Sequence, residues 1–363
     1  MNLKRLTLLR PNMGDHRSSD GMLPLSIAAL AARTPADVDV RFFDDVVERI
    51  PVDDTPDLAA MTVGTFTARR AYVIADAYRS RGVPVVMGGY HPSLLPEEAL
   101  AHADAVVVGD AEGSWERLLD DFRRGTLRRV YTGGNDRPMD DVRYDRRIFR
   151  GKRYVPVEPV QYSRGCRFAC DFCSIRSFYR DSLRHRPLAG MLNELEQVGT
   201  RKMIFFVDDN LFGSSQTLAE LLDAIRPLRI RWSCQISIDV ARDDRLLDRM
   251  AAAGCQLALI GFESLSPENL KQMAKPWNRV AGDYHSVVRK FHDRGMAVYG
   301  TFVFGYDADT AETIQRSLDF ALEARLEIAN FNPLTPTPGS PLYDRLLGEG
   351  RMLSPRWWLD PDY

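Results

Sequence analysis

The chain has 363 residues, of which 45% are hydrophobic and 27% are charged, and its formal net charge is −2. This length favours two domains over a single core, and the composition is that of an ordinary globular protein. The near-neutral charge gives no basis for a nucleic-acid partner or an anionic membrane surface. No apolar run approaches the roughly 20 residues of a membrane-spanning helix, so no transmembrane segment is predicted.

The first third of the chain alternates short apolar segments with helical ones. Strands are predicted over residues 3–9, 38–43, 58–63, 83–87 and 105–108. Helices are predicted between them, over residues 25–32, 69–81 and 113–124. This alternation predicts a Rossmann-like, doubly wound parallel sheet, in which ligands bind beyond the carboxyl ends of the strands.

Four residues fall at those strand ends and are candidates for holding a ligand. Gly88 and Gly89 allow a bound molecule to approach the backbone closely, and Thr62 and Thr65 offer hydroxyl groups beside them. Residues 125–155 are rich in Arg, Asp, Gly and Pro and are expected to form a connection with a solvated, basic face.

A second alternating series follows this connection. Strands are predicted over residues 157–162, 202–207, 231–237, 256–262, 297–304 and 328–331, with helical stretches between them. Six strand–helix units predict a partial (β/α)6 barrel with its site at the strand carboxyl ends. The expected division is therefore a first domain over residues 1–140, a linker over 141–155, the barrel over 156–340, and the start of a C-terminal region over 341–363, where the sequence given is expected to be truncated.

Three cysteines at the start of the barrel are the strongest chemical signal. Cys166, Cys170 and Cys173 have the spacing C-x3-C-x2-C, and Phe172 lies between the last two. Three thiolates on one loop can bind three irons of a cubane cluster and leave the fourth iron open to a substrate. A zinc site needs a fourth ligand, for which His185 is the nearest histidine. Cys234 and Cys255 lie in apolar contexts and are interpreted as buried core residues.

This loop resembles that of the radical S-adenosylmethionine (SAM) superfamily, whose C-x3-C-x-aromatic-C motif binds a 4Fe–4S cluster. The chain also resembles the branch with a cobalamin-binding domain in front of the barrel. The supporting motifs are residues 87–93, 96–98, 108–112, 206–210, 260–264 and 335–341. The resemblance implies three cofactors, namely a 4Fe–4S cluster, SAM and cobalamin. It also implies reductive cleavage of SAM to a 5′-deoxyadenosyl radical.

The strand ends of the barrel supply candidates for holding SAM. Phe172 is placed to pack near the adenine, with a plain core aromatic as the alternative. The carboxylates of Asp208 and Asp209 are candidates for the SAM ammonium, although a helix-capping role for Asp209 or Asn210 is equally open. On the next strand, Gln235 and Ser237 share one face and can bind ribose or carboxylate, and Glu263 ends the fourth strand.

One motif of many cobalamin-binding domains is missing from the first domain. Many cobalamin-binding folds carry an Asp-x-His-x-x-Gly loop, but the spacing in residues 14–21 differs, so His16 is not expected to ligate cobalt. Cobalamin can bind without a lower protein ligand. The alternative is a Rossmann-like domain that kept its shape and lost its cofactor.

The function expected from these residues is cobalamin-dependent methylation of an unactivated carbon by a radical SAM enzyme. The alternative is a radical SAM cyclase, oxidase or rearrangement enzyme that transfers no methyl group. A non-enzymatic metal module and an RNA methylthiotransferase are disfavoured, the latter because no cysteine precedes Cys166. The expected partners are a small-molecule substrate, such as a natural-product or lipid intermediate, and an electron donor such as flavodoxin or ferredoxin. Five cysteines and an oxygen-sensitive cluster predict a reducing cytoplasm.

Overall fold

The computed structural model describes residues 2–18, 21–134, 137–199, 202–281 and 283–362. Ser19 and Asp20, which belong to the loop compared with the cobalt-binding motif, lie outside the described residues. The chain forms two compact units. The first comprises Met1–Arg137, Asp141–Val155 and Asp344–Tyr363, and the second comprises Pro138–Asp140 and Pro156–Tyr343.

The first unit is built on a parallel sheet. Its strands are β1 (Arg5–Arg10), β2 (Asp39–Asp44), β3 (Leu58–Thr62), β4 (Val85–Gly88), β5 (Ala105–Val108) and β6 (Val130–Thr132). Within the described residues their order is β2-β1-β3-β4-β5-β6, with every neighbouring pair parallel. The order reverses between β1 and β3, and such a switch point opens a crevice at the carboxyl edge of the sheet.

Helices cover this sheet because each turns an apolar face to it. They are α1 (Leu25–Ala32), α2 (Ala68–Arg79), α3 (Tyr90–Leu94), α4 (Pro96–His102) and α5 (Trp115–Arg124). Helix α5 shows the pattern clearly, since Trp115, Leu118 and Phe122 recur at helical spacing and are all buried. The helix ends at Gly125, whose φ of +72° is the left-handed conformation that glycine adopts most readily.

The expectation that residues 125–155 form only a connection is wrong in part. Residues 130–132 form β6 and pair with β5 in the first sheet. Phe149 is buried and packs edge-on against Phe42 of β2 at a ring distance of 5.8 Å. The basic side chains around it are partly neutralised, as in the ion pair of Lys152 with Glu48. This segment therefore adds both backbone pairing and apolar packing to the first unit.

The second unit carries a six-stranded parallel sheet and a small antiparallel hairpin among its described residues. The strands are β7 (Val157–Val160), β8 (Ser163–Gly165), β9 (Leu183–His185), β10 (Met203–Phe206), β11 (Arg231–Ile236), β12 (Cys255–Glu263), β13 (Ala297–Phe304) and β14 (Ile328–Pro333). The sheet has the order β14-β13-β12-β11-β10-β7, which follows the chain, and β8 pairs with β9. The predicted parallel barrel strands are confirmed.

Helices alternate with these strands. They are α6 (Ser174–Tyr179), α7 (Leu188–Val198), α8 (Ser215–Ile225), α9 (Asp244–Ala252), α10 (Pro267–Gln272), α11 (Tyr284–His292), α12 (Ala311–Glu323) and α13 (Pro341–Gly348). The core between helices and sheet includes Phe206, Trp232, Phe262 and Phe302, all fully buried. In the part of the chain that the structure describes, no helix combines the length and apolarity needed to cross a bilayer.

Candidate active site

The three predicted cluster cysteines lie on one loop, between β8 and α6. The loop leaves β8 at Gly165, whose φ is +89° and whose missing Cβ would overlap the carbonyl oxygen of Ser182. Only glycine fits this close approach between the two arms of the hairpin. Cys166, Cys170 and Cys173 follow, all unpaired and partly exposed, whereas Cys234 and Cys255 are buried as predicted.

The environment of these thiols fits an iron–sulfur cluster better than a single ion. Among the described residues, no group of three or more His, Cys, Asp or Glu side chains is arranged to hold one metal ion. A cubane does not need that arrangement, because each cysteine binds a different iron. Burial raises the pKa of Cys170 to about 12, although the charge of Lys275 opposes the shift. The thiolates therefore need a compensating cation, which iron supplies.

Asp208 holds the backbone that leads into the cysteine loop. Its side chain is 1% exposed, and its carboxylate accepts hydrogen bonds from Tyr162 N at 3.1 Å, from Ser163 Oγ at 2.5 Å and from Ser163 N. Burial raises the pKa of Asp208 to about 6, against the lowering effect of these donors. Both carboxylate oxygens are thus engaged with the strand that leads into the loop.

Asp209 and Asn210 continue this support on the side of β11. Asp209 Oδ2 accepts from Gly165 N at 2.8 Å, and its carbonyl oxygen accepts from Gln235 Nε2 at 3.0 Å. Asn210 Nδ2 donates to Ser237 Oγ at 3.1 Å and to Cys166 Sγ at 3.7 Å. The helix-capping alternative for Asp209 and Asn210 is wrong, because Ser214 caps the following helix α8.

The middle of the loop is fastened by Asp171, which sequence analysis did not single out. Its Oδ1 accepts from Tyr306 Oη at 2.6 Å, its backbone N–H donates to Met273 O, and its carbonyl accepts from Leu342 N. Asp171 is 9% exposed. These contacts come from three distant segments of the second unit, so they leave no spacing signal in the sequence.

An aromatic stack covers the outer side of the loop. Phe168 lies on Trp277 with ring centroids 3.6 Å apart and planes 11° from parallel. The guanidinium of Arg167 lies 4.6 Å from the Phe168 ring and 4.5 Å from the Phe212 ring, and it also pairs with Asp239. Stacked contacts of this kind hold a loop in a fixed conformation.

Glu263 ends β12 in a strained backbone conformation with a buried partner. Its φ is +63°, and its Oε1 lies 2.6 Å from Lys275 Nζ, with both side chains about a tenth exposed or less. Lys275 also donates to Gly261 O at 3.0 Å. The Glu263–Lys275 pair occupies the space that a Cβ at Gly261 would fill. Lys275 carries no motif that would have identified it in advance.

The structure therefore brings most of the predicted residues of the second unit to one place. Cys166, Asp209, Gln235 and Ser237 are joined through hydrogen bonds with Asn210 and Gly165. Phe172 lies on the loop between Cys170 and Cys173 and is partly exposed, so it is not a fully buried core residue. Glu263 contacts Lys275, whose charge also reaches Cys170.

The predicted residues of the first unit meet at the carboxyl edge of its sheet. Thr62 and Gly88 are paired in register at the ends of β3 and β4, and Thr65 is buried just beyond. Gly89 has a φ of +103°, and a Cβ there would lie 2.8 Å from the carbonyl oxygen of Val63. Glycine is therefore required at this turn.

Side-chain contacts hold this edge in a defined shape. Ser93 Oγ donates to Gly89 O at 2.7 Å and accepts from Gly109 N at 2.9 Å, which ties the loop after β4 to the loop after β5. His91 N donates to Val63 O at 3.1 Å, which adds the loop after β3. The absence of side chains at Gly88 and Gly89 lets the backbone at this edge pack closely against Val107 and Val63.

Comparison with known proteins agrees with this arrangement. Residues 160–321 match the family model of the radical SAM superfamily, and residues 26–119 match that of the B12 binding domain. The chain is 34% identical over 336 residues to bacteriochlorophyllide d C-12(1)-methyltransferase of Chlorobaculum tepidum, covering 89% of this chain and 74% of that protein. It is 28% identical to bacteriochlorophyllide d C-8(2)-methyltransferase of the same organism, with coverages of 95% and 80%.

A solved structure shares the fold. The radical SAM methyltransferase TsrM of Kitasatospora setae, with cobalamin and a 4Fe–4S cluster bound, superposes with a TM-score of 0.72 at 16% identity. The match covers 95% of this chain and 78% of that one. The chain belongs to the radical SAM superfamily, in the branch that carries a B12-binding domain. It is an enzyme whose cofactors are a 4Fe–4S cluster, SAM and cobalamin.

Proposed function

We propose that this chain is a cobalamin-dependent C-methyltransferase that methylates an sp³ carbon attached to a planar, conjugated ring system. The observation that carries the proposal is the 34% identity to a bacteriochlorophyllide methyltransferase along 89% of this chain. A second relative, at 28% identity, methylates a different position of the same ring system. Both relatives alkylate substituents of a tetrapyrrole, which makes that class the first choice of substrate.

An open cavity in the second unit supports a flat, apolar substrate. It has a volume of about 500 Å³ and lies at the carboxyl ends of β13 and β14, lined by Phe304, Gly305, Phe331 and Pro333. Phe331 and Phe304 stack with ring centroids 5.8 Å apart and present parallel rings to the cavity, while Phe331 also rests on the buried ring of Phe302 at 5.2 Å. Exposed aromatic rings of this kind bind a conjugated macrocycle by burial of apolar area and by stacking.

The cysteine loop and its neighbours are proposed to hold the first two cofactors. Cys166, Cys170 and Cys173 would ligate the cluster, and Phe172 would pack against the SAM adenine. Gln235, which is exposed, and Ser237, which is partly exposed, would bind SAM polar groups. When bound, the cluster supplies the electron that cleaves SAM, and cobalamin supplies the methyl carrier. The chain's own part is to orient these groups and to exclude water.

The three acidic candidates differ in their burial and in the partners that they contact. Asp208 is fully buried and engaged with the strand before the loop, so we propose for it a supporting role. Asp209 accepts a hydrogen bond from Gly165 N, and Glu263 pairs with Lys275 Nζ. We keep both as candidates for the SAM ammonium.

The first domain is proposed to bind cobalamin along the edge formed by Thr62, Thr65, Gly88 and Gly89. In this proposal residues 1–140 bind the corrinoid, and residues 156–340 hold the cluster and SAM. Residues 141–155 link the two domains. Residues 341–363 would begin a C-terminal region. The defined shape of the loops after β3, β4 and β5 supports the assignment, since a preformed site binds with little ordering cost.

An acidic electron donor of the flavodoxin or ferredoxin type is proposed as the protein partner. Helix α6 starts directly after Cys173, and the segment over α6 and β9 carries Arg176, Arg180 and Arg184, with Asp181 as its acidic member. Opposite charges guide such encounters and make them sensitive to salt. All five cysteines are unpaired, which suits the reducing cytoplasm that an iron–sulfur enzyme needs.

The test is an anaerobic assay of the reconstituted protein with SAM, hydroxocobalamin, a reductant and a bacteriochlorophyllide as probe. We expect methylated product, S-adenosylhomocysteine and 5′-deoxyadenosine to appear together, and none of them with the Cys170→Ala variant. Formation of deoxyadenosine without any adenosylhomocysteine would instead support a cyclase, oxidase or rearrangement enzyme that transfers no methyl group.

A further inference from the structure

Asn210 has a side chain whose orientation is fixed by the surrounding backbone. It lies at the carboxyl end of β10 and is 5% exposed. Its Oδ1 accepts two main-chain hydrogen bonds, from Phe212 N at 3.1 Å and from Ser237 N at 3.0 Å. Because both of these partners are donors, the oxygen must face them, and the assignment of the amide atoms is unambiguous.

The amide nitrogen is consequently directed at the first cysteine of the loop. Asn210 Nδ2 lies 3.7 Å from Cys166 Sγ and 3.1 Å from Ser237 Oγ. Its two N–H groups therefore have two acceptors, a thiol sulfur and a hydroxyl. The backbone N–H groups of Phe212, beyond β10, and of Ser237, just after β11, hold the amide in place whether or not the sulfur carries charge.

A donor in this position changes the energetics of electron uptake. Hydrogen bonds to cluster sulfurs are among the factors that set the reduction potential. Reduction adds negative charge, part of which lies on the cysteine sulfurs, and an N–H donor stabilises that charge more strongly in a buried site. A fixed N–H group at Cys166 therefore favours the reduced state over the oxidised one.

We propose that Asn210 is a positioning residue that raises the reduction potential of the cluster by donating an N–H hydrogen bond to the Cys166 thiolate. The proposal rests on the proposed role of Cys166 as a cluster ligand. It assigns to Asn210 a function in generating the reduced cluster, separate from SAM binding and from recognition of the methylated substrate.

The measurement is an EPR-monitored redox titration of anaerobically reconstituted protein without SAM. Asn210→Asp keeps an acceptor for Phe212 N and Ser237 N but removes the donor and adds negative charge. Asn210→Ala removes the donor without adding charge. We expect both variants to shift to lower potential, with the aspartate variant shifted further. A tenfold fall in the reduction equilibrium constant corresponds to about 59 mV for one electron.

Ser237→Ala is the matched control, because it removes the other acceptor of Nδ2 and leaves the bond to Cys166. Its potential should equal that of the wild type. The proposal is overturned if both Asn210 variants carry wild-type iron and sulfide at the wild-type potential, or if Ser237→Ala shifts equally. It is also overturned if both Asn210 variants lose iron while Ser237→Ala retains it, since Asn210 then only maintains the fold of the loop.

A separate variant tests whether Cys166 is a cluster ligand, independently of the role of Asn210. If Cys166→Ala retained a complete cluster with a wild-type EPR signal, the role of Cys166 in the proposed function would be wrong. A wild-type cluster that depends on Cys166, together with unchanged potentials in the Asn210 variants, would reject only the role of Asn210.

Discussion

At the residue scale, Asp208 shows how the fold engages a polar group beyond a strand end. Asp208 was expected to face SAM, yet its carboxylate accepts hydrogen bonds from the backbone before the cysteine loop. The sequence places a carboxylate beyond the end of β10. It does not show whether this carboxylate faces the cofactor site or the backbone that leads into the cysteine loop. The direction depends on the hairpin β8–β9, which folds back from elsewhere in the chain.

The buried carboxylate leads to a prediction about pH. Burial raises the pKa of Asp208 from 3.8 to about 6, so this group favours the folded state fully below pH 3.8 and loses that contribution as pH rises to about 6. Since one pKa unit corresponds to about 1.36 kcal/mol, the loss is on the order of 3 kcal/mol. Urea unfolding of the apoprotein across this range should show the decline in the wild type.

The Asp208→Asn variant separates this residue from other titrating groups. The amide of this variant does not titrate, so the unfolding free energy of the variant should lack the decline. Its Nδ2 is a donor that faces the backbone donors Tyr162 N and Ser163 N, where the wild type has an acceptor. A buried unsatisfied donor costs about 1–3 kcal/mol, and iron loading of the loop should fall accordingly. Equal pH dependence in the two proteins would show that Asp208 does not carry the predicted shift.

The functional residues that could be predicted are those whose spacing within a short segment forms a motif. The three cysteines were found because their positions within one loop carry the signal. Asn210 and Lys275 act on this loop from distant positions, and Asp171 within the loop is held by the distant Tyr306. The sequence separations are 44 for the Asn210–Cys166 bond and 135 for the Tyr306–Asp171 bond. Such contacts have no periodicity in a single sequence, and only the fold brings the partners together.

At the element scale, the barrel strands were predictable because each is a short apolar run followed by a polar or glycine residue. The predicted strand over residues 297–304 agrees with β13 at both ends. The strands that were missed, β6, β8 and β9, have three residues each. A segment of three residues is too short to show alternation, so pairing with a neighbour decides its conformation.

The C-terminal segment of the first unit packs against that unit in a way the sequence did not indicate. Trp357 and Trp358 are buried in a short turn of helix, Trp357–Leu359. Trp357 lies 5.0 Å from the ring of Phe66, and Trp358 Nε1 donates to Glu98 Oε1 at 2.9 Å. Glu98 also lies 3.0 Å from His91 Nε2, so the segment reaches the residue two positions after Gly89.

Replacement of one tryptophan tests this packing. Trp358→Phe removes the indole donor to Glu98 and leaves its buried carboxylate oxygen with two partners, Tyr72 and His91. We expect a loss of about 1–2 kcal/mol in unfolding free energy. We also expect several-fold weaker binding of hydroxocobalamin, measured by equilibrium dialysis, because Glu98 anchors the segment after Gly89.

The control for this variant lies in the same segment. Leu353 is fully exposed, so Leu353→Ala should keep wild-type stability and cobalamin affinity. If Trp358→Phe unfolded at the wild-type denaturant concentration and bound cobalamin as the wild type does, the contact with Glu98 would have no part in shaping this edge.

At the scale of the whole molecule, both units use the same arrangement for their sites. Each has a parallel sheet whose strands end in glycine, hydroxyl or acidic residues, and each gathers its candidate residues at the carboxyl edge. This arrangement was predictable from the alternation of apolar and polar segments. The aromatic lining of the proposed substrate cavity was not, because Phe304 and Phe331 come together only through pairing of β13 with β14.

The central claim is that one enzyme generates a radical at the cysteine loop and transfers a methyl group with cobalamin. The most direct test repeats the anaerobic assay with SAM carrying a trideuterated methyl group and a bacteriochlorophyllide as probe, followed by mass spectrometry. The account predicts a product that contains the intact trideuterated methyl group, formed together with 5′-deoxyadenosine and dependent on added cobalamin. A product without the label, or labelled product formed equally well without cobalamin, would contradict it.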